Sequence, residues 1–230
     1  MEDPWVALPP EQRRLSLAEV RRRCADLPAP GHQTYHPGIT TTRPAASLLP
    51  IVERDGEAAV ILTKRPSTMT YHRDDWVLPG GRTDPGEEAV ETAVREAWEE
   101  LGIPADRIEI VGELDKHGPL STGFVLQVFV GIIDGDLELA PDEREVAEVL
   151  VVPLSALMAE GVHYLSSELP AEHDPGPIAV GLRSPVPEGE IGSRGRGNHF
   201  FTVREGEAAW GTQGTILLEF LTHLVEGTDN

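Results

Sequence analysis

The alternation of apolar and polar positions changes character along this chain, and each change marks an element. After Pro9 and Pro10, apolar residues recur at helical spacing from Glu11 to Leu27, which predicts one helix there. The stretch from Pro28 to Pro44 is rich in Pro, Gly, His and Thr and reads as irregular chain. From Ala45 the pattern turns to strands. Aliphatic and β-branched runs, Ala46 to Val52 and Ala58 to Thr63, flank Asp55-Gly56, which is a hairpin signal. A short strand is expected at Trp76 to Leu78, then a turn at Pro79-Gly80-Gly81 and a helix from Glu87 to about Gly102. Strands follow at Ile108 to Leu114, Phe124 to Ile133 and Ala147 to Val152, with a short helix from Leu154 to Glu160. The stretch from Ser166 to Asn198 holds five prolines and six glycines without periodicity and reads as a long surface insertion. A strand at His199 to Val203 and an amphipathic helix from Gly214 to Val225 close the pattern.

These elements predict an α/β chain in which helices enclose a mixed sheet. Its 230 residues suffice for one substantial domain but are short for two. The expected organisation is an N-terminal extension over 1–45, carrying a helix, followed by one domain over 46–226 with the insertion at about 166–198.

Charge narrows the choice of partner. With 39 acidic and 19 basic residues the formal net charge is -20, so most of the surface repels nucleic acid and anionic membranes. A small phosphorylated substrate is compatible only if cations reverse the field locally. The run Arg21-Arg22-Arg23 reads as a solvated helix face. Cys24 is the single cysteine, which rules out an intrachain disulfide, and it reads as a small buried residue. Met1-Glu2-Asp3 opens no signal-like segment and no run approaches 18 apolar residues, so a cytoplasmic protein is expected.

Chemistry concentrates in the helix that begins near Glu87. Glu96, Glu99 and Glu100 stand at i, i+3 and i+4, which puts three carboxylates on one face. Val90, Val94, Ala97 and Leu101 form an adjacent apolar stripe, so the helix can bury one side while its acids border a cleft. Like charges at this spacing cost roughly 0.2–0.5 kcal/mol per pair, a cost that a hard divalent cation removes. Mg²⁺ or Mn²⁺ suits such oxygen ligands and bridges to phosphates. Arg95 lies four residues after Glu91 and four before Glu99, within reach of either, and reads as a group that orients a ligand. Gly80 and Gly81 allow close backbone approach before the helix, and Gly102 reads as its stop.

Gly81, Glu87, Arg95, Glu96, Glu99, Glu100, Gly102 and Ile103 resemble the Nudix box, Gly-x5-Glu-x7-Arg-Glu-U-x-Glu-Glu-x-Gly-U, where U is aliphatic. Seven fixed identities at background frequency arise by chance on the order of once in 10⁸ starting positions. The resemblance implies a Nudix-type α/β/α sandwich and hydrolysis of a nucleoside diphosphate linked to another group. It also implies divalent cations bound by Glu96, Glu99, Glu100 and the Gly80 carbonyl. Metal ions that neutralise the diphosphate and activate a water fit this reaction. The general base is open among a box glutamate and Glu143, Glu145 or Glu148 of the later loop, with Glu145 carried forward beside Arg95 and Glu99 as catalytic.

A narrower resemblance surrounds the box. Leu62-Thr63-Lys64-Arg65-Pro66-Ser67, Met69 and His72, then Pro79-Gly80-Gly81 and Asp84, are similar to the coenzyme A diphosphatase branch, as are Glu145-Val146 with Glu148-Val149 and Trp210-Gly211-Thr212. That branch has a glycine where Asp74 stands here, and it lacks the intervening Pro66. The resemblance implies coenzyme A or its derivatives as substrate; Arg65 and His72 suit its phosphates or its 3′-phosphate, and the backbone amide at Gly81 can meet an anion. ADP-ribose, dinucleotides and nucleoside triphosphates are alternatives on the same machinery, and a homodimer is among the arrangements implied. A non-catalytic nucleotide sensor is a second functional class, disfavoured by the complete carboxylate set.

Overall fold

The structure, a computed structural model, describes residues 3–34, 38–69, 73–120, 122–165 and 199–226. The expected helix over 11–27 is two helices, α1 (Pro10–Arg13) and α2 (Leu17–Cys24). Leu15 breaks them apart: its side chain is buried and its carbonyl accepts a bond from Ala58 N at 2.6 Å, which removes the backbone from a helical path. Ser16 then caps α2 and exchanges bonds with Glu19, a capping box. The arginine run is not a solvated face throughout, because Arg23 is 7% exposed and donates to the Leu224 carbonyl, while Arg21 pairs with Glu109 at 2.8 Å.

The strands are β1 (His32–Gln33), β2 (Arg43–Arg54), β3 (Glu57–Lys64), β4 (Trp76–Val77) and β5 (Gly80–Arg82). Helix α3 (Ala89–Leu101) follows, then β6 (Ile108–Glu113), β7 (Lys116–His117), β8 (Phe124–Ile133), β9 (Glu148–Pro153) and α4 (Leu154–Leu157). The described chain ends with β10 (His163–Leu165), β11 (His199–Arg204), β12 (Glu207–Trp210) and α5 (Thr212–Glu226). The stretch 166–198, read above as an insertion, lies outside the described residues.

Nine strands form one mixed sheet with the path β1-β7-β8-β2-β3-β4, while β5 joins β2, β6 joins β8 and β9 joins β3. β2 runs parallel to β8 and antiparallel to β3, whose hairpin turn uses Asp55 and Gly56, both at positive φ, the conformation a two-residue turn requires. Alternation along β2 assigns its two faces. Ala45, Leu49 and Ile51 face a cluster with α2 and α5, whereas Ala46 and Leu48 face Ala93 and Ala97 of α3. The sheet is therefore enclosed by helices on both faces, an α/β/α arrangement.

Residues before 45 contribute Trp5, Leu15, Leu17, Val20 and Cys24 to the same cluster as α5. Arg13 latches this segment by donating to the carbonyls of Val6, Leu8 and Met158 at 2.7–2.9 Å. A second sheet, β10-β11-β12, holds a hydrogen-bonded chain in which His163 bridges Asp3 at 2.6 Å and His199 at 2.9 Å. Among the described residues no helix is long and apolar enough to cross a membrane.

Candidate active site

Helix α3 positions the carboxylates, but its buried stripe is rotated from the one the sequence suggests. Thr92, Ala93, Glu96, Ala97, Glu100 and Leu101 are buried, while Val90 and Val94 are only half-buried and Trp98 is 56% exposed. Two of the three acids thus face the sheet rather than the rim of a cleft. Small side chains cause this: Ala93 and Ala97 let α3 approach Ala46 and Leu48 closely, and the neighbouring acids are carried in with them. Gly102, at φ +70°, ends the helix in the left-handed conformation that glycine adopts freely.

Gly80 and Gly81 are a strand, not a turn: they pair with Ser47 and Ala46 of β2. A side chain added at either would meet atoms already in place. A methyl on Gly81 would sit 2.6 Å from the carboxyl carbon of Glu96, and one on Gly80 would sit 2.5 Å from the Ala46 carbonyl oxygen. The bare strand therefore forms one wall for the acids, and Gly80 N donates to Glu100 Oε1 at 3.4 Å.

Arg95 organises the opposite side. It grips Glu87 with two bonds, Nε to Oε1 at 2.8 Å and Nη2 to Oε2 at 3.1 Å, the fork geometry that suits guanidinium and carboxylate. From that anchor Nη1 reaches Glu96 at 2.8 Å and Glu99 at 3.0 Å, and Nη2 reaches the Arg82 carbonyl at 3.2 Å. Glu91, the other partner within sequence reach, instead accepts from Glu88 N at the helix start. Glu87 also accepts from Thr92 Oγ1 at 2.8 Å. Its anchoring of Arg95 was not legible in the spacing, because the two meet eight positions apart across the helix start.

Burial shapes the charges. Burial raises the Glu100 carboxyl to about 8, opposed by the bond from Gly80 N and the field of Arg65, and reinforced by Glu96 and Glu145. Burial also raises Glu96, against the pull of Arg95. Glu87, held by Arg95, is lowered to about 2. The loop from Ala140 to Val146 is tied to the end of α3 through Ala140 N to Leu101 O and Asp142 N to Glu100 O, which brings the charge of Glu145 to bear on Glu96 and Glu100.

Arg65, just after β3, has a buried Nε that finds no partner among the described residues, and its Nη2 meets the Met69 sulfur at 3.6 Å. His72 lies outside the described residues. Asp74, standing in place of the branch's glycine, has φ +58°, a left-handed conformation that Asp tolerates better than most residues, so this departure keeps the backbone path. Glu148 is not grouped with the other acids: Arg204 holds it at 2.5 and 2.8 Å. Arg204 also meets Glu207, which accepts from Lys64 Nζ at 2.9 Å and Trp76 Nε1 at 2.6 Å. This clamp fastens β12 to the strands on either side of Arg65 and Gly80. Residue type alone could not reveal it, since its members come from five separate strands.

Among the described residues no three His, Cys, Asp or Glu side chains converge on one point. The inner edge of α3 instead offers two buried carboxylates, Glu96 and Glu100, beside a glycine strand. Mg²⁺ typically takes one or two carboxylates and completes its shell with water and substrate oxygens, and this donor set fits that habit.

Comparison with known proteins agrees with the geometry. The family model of the NUDIX domain matches residues 41–170, more than half of the chain. Nudix hydrolase 3 of Caenorhabditis elegans is 34% identical over 140 residues, 60% of this chain and 58% of that protein. An uncharacterized Nudix hydrolase, NudL, of Photorhabdus laumondii is 37% identical over 156 residues, 66% of this chain and 79% of that one. A crystal structure of a Nudix hydrolase from M. smegmatis, RenU, is 27% identical with a TM-score of 0.42, covering 48% of this chain and 70% of that one. The family match spans the glycine strand, all of α3 and the Glu145 loop, and on that ground the chain belongs to the Nudix hydrolase family.

Proposed function

We propose that this chain hydrolyses the diphosphate bond of a nucleoside diphosphate linked to a second group, using a divalent cation, Mg²⁺ or Mn²⁺. We further propose coenzyme A and its derivatives as substrate, cleaved to 3′,5′-ADP and 4′-phosphopantetheine. One observation carries the reading: Glu96 and Glu100 are buried side by side, with burial holding Glu100 near 8, so an ionised pair calls for a compensating cation. Glu96, Glu99 and Glu100, with the Gly80 carbonyl, would hold it. When bound, the cation neutralises phosphate oxygens and makes a coordinated water more acidic.

The chain's own groups have distinct tasks in this reading. Arg95 keeps Glu96 and Glu99 oriented from its anchor on Glu87. Arg65, whose field reaches Glu100, supplies a guanidinium for a phosphate. Glu145, exposed on the loop tied to α3, accepts the proton of the attacking water. The choice of coenzyme A rests on the similarity of Leu62 to Met69 and of the segments around Glu145 and Trp210 to that branch.

Incubation with Mg²⁺ and coenzyme A, ADP-ribose, NADH or nucleoside triphosphates, resolved by product chromatography, tests both levels. Expected is preferred turnover of coenzyme A, with Glu99→Gln and Glu100→Gln each reducing kcat at least 100-fold in folded protein. A preference for ADP-ribose overturns the substrate. No hydrolysis of any compound overturns the reaction.

A further inference from the structure

Among the described residues two arginines beside the glycine strand, Arg43 and Arg82, form no ion pair. Both are exposed, and among the described residues neither meets an acid. Arg43 lies over the Phe124 ring at 4.4 Å and donates to the Thr122 carbonyl, while Arg82 uses only its backbone carbonyl, held by Arg95 at 3.2 Å. In a chain with 39 acidic residues, two adjacent arginines that form no ion pair among the described residues stand out, with Asp84 the acid that the β2–β5 register brings level with Arg43.

The sheet register sets them on one face. Ala45 is opposite Arg82 in the β2–β5 pair, and Arg43 is opposite Phe124 in the β2–β8 pair. Arg43 and Ala45 share a face of β2, so Arg43 and Arg82 are diagonal neighbours, about 7–8 Å apart at the backbone and within joint reach of long side chains. That face is opposite α3, because Gly81, next to Arg82, is the residue that abuts Glu96. β5 is three residues long and carries the bare Gly80–Gly81 backbone between the acids and Arg82. A ligand with one phosphate at the acids and another a nucleoside length away can span this strand.

We infer that Arg43 and Arg82 form a second anion subsite, which binds a phosphate monoester on the nucleotide half of the substrate, away from the bond that is cut. Two guanidiniums at this spacing can converge on one phosphate, each offering a planar pair of donors. Phe124 holds Arg43 in place by its ring face. The inference rests on the nucleotide diphosphate reading above, and its test does not require turnover.

The test is calorimetric titration of 3′,5′-ADP against 5′-AMP, which differ by one phosphate, into the unmodified protein, Arg82→Gln and the Arg43→Gln/Arg82→Gln double variant. The unmodified protein is expected to bind 3′,5′-ADP about tenfold more tightly. The double variant should lose that preference while 5′-AMP affinity stays within twofold. Arg82→Gln should show most of the loss, and among the described residues the Arg82 side chain makes no hydrogen bond or ion pair, so the fold is retained. Coenzyme A hydrolysis by Arg82→Gln should then show a raised KM with unchanged kcat. No preference in the unmodified protein, an undiminished preference in the double variant, or equal loss for both nucleotides overturns the subsite. If the preference tracks the arginines but no diphosphate is hydrolysed, the subsite stands and the proposed reaction fails.

Discussion

Replacing Gly81 with Ala separates catalysis from folding. The new methyl would lie 2.6 Å from the Glu96 carboxyl carbon and 2.8 Å from Oε2. To bring Oε1, the nearest atom, to 3.4 Å the carboxylate must retreat by about 1 Å, by rotation of a flexible side chain rather than movement of backbone. A displacement near 1 Å at a reacting centre can cost about 100-fold, so kcat should fall about 10- to 100-fold. Thermal stability should stay within about 1 kcal/mol, because nothing in the β2–β5 ladder is touched. Gly80→Ala is the contrasting control. Its methyl meets the Ala46 carbonyl oxygen at 2.5 Å and Ser47 Cα at 2.7 Å, and backbone cannot retreat without opening the ladder. That overpacking costs about 1–3 kcal/mol, a fall of roughly 3–10 °C in Tm. Steady-state hydrolysis with Mg²⁺ and a melting curve on the same samples decide the matter. Gly81→Ala with unimpaired kcat, or with a larger loss of Tm than Gly80→Ala, would refute the placement of Glu96 against the glycine strand.

Glu100 makes metal-free stability depend on pH. Its folded carboxyl, raised to about 8 from 4.5, binds a proton more tightly than in the unfolded chain, so stability falls as pH rises from about 4.5 to 8. Chelator-treated protein should melt lower at pH 8 than at pH 6, Glu100→Gln should flatten that slope, and Mg²⁺ should restore more stability at pH 8. Glu207 has the opposite sign: burial raises it, but Lys64, Arg204 and Trp76 together hold it at about 2, so its contribution is present above 4.5 and lost toward pH 2. Glu207→Gln should cost about 1–2 kcal/mol after allowance for partial exposure of the pairs, seen as a Tm lower by roughly 2–8 °C at pH 7. Cys24 is 2% exposed and burial pushes its thiol up to about 12, so a thiol reagent at pH 8 should label it only in denaturant.

Elements with strong periodicity were legible in advance. The β2–β3 hairpin, β8, α3 and α5 carry apolar patterns or turn residues whose preferences agree with their packing. The box residues were legible because their spacing is fixed, but which acids are buried was not: Ala93 and Ala97 decide how closely α3 meets β2, and that depends on Ala46. The strands β1, β7 and β10, of two or three residues, are too short to carry a period. The break between α1 and α2 escaped because the bond from Ala58 to Leu15 joins residues far apart in sequence. The Glu207 clamp and the facing of Arg43 and Arg82 depend on register, which no single segment encodes.

The latch that docks the N-terminal segment also bears on how the chain matures. Asp3 meets His163 across 160 positions, Arg23 meets Leu224 across 201, and Trp5 packs edge-on to His163 and tilted against Phe201. During synthesis residues 3–24 emerge long before their partners, and Trp5 cannot be buried until β11, which carries Phe201, has left the ribosome. Completion of this core is therefore a late, non-local event with a high loop-closure cost. A nascent chain stalled before Thr212 would carry all of α3 yet leave the face of α2 that packs on α5 in water.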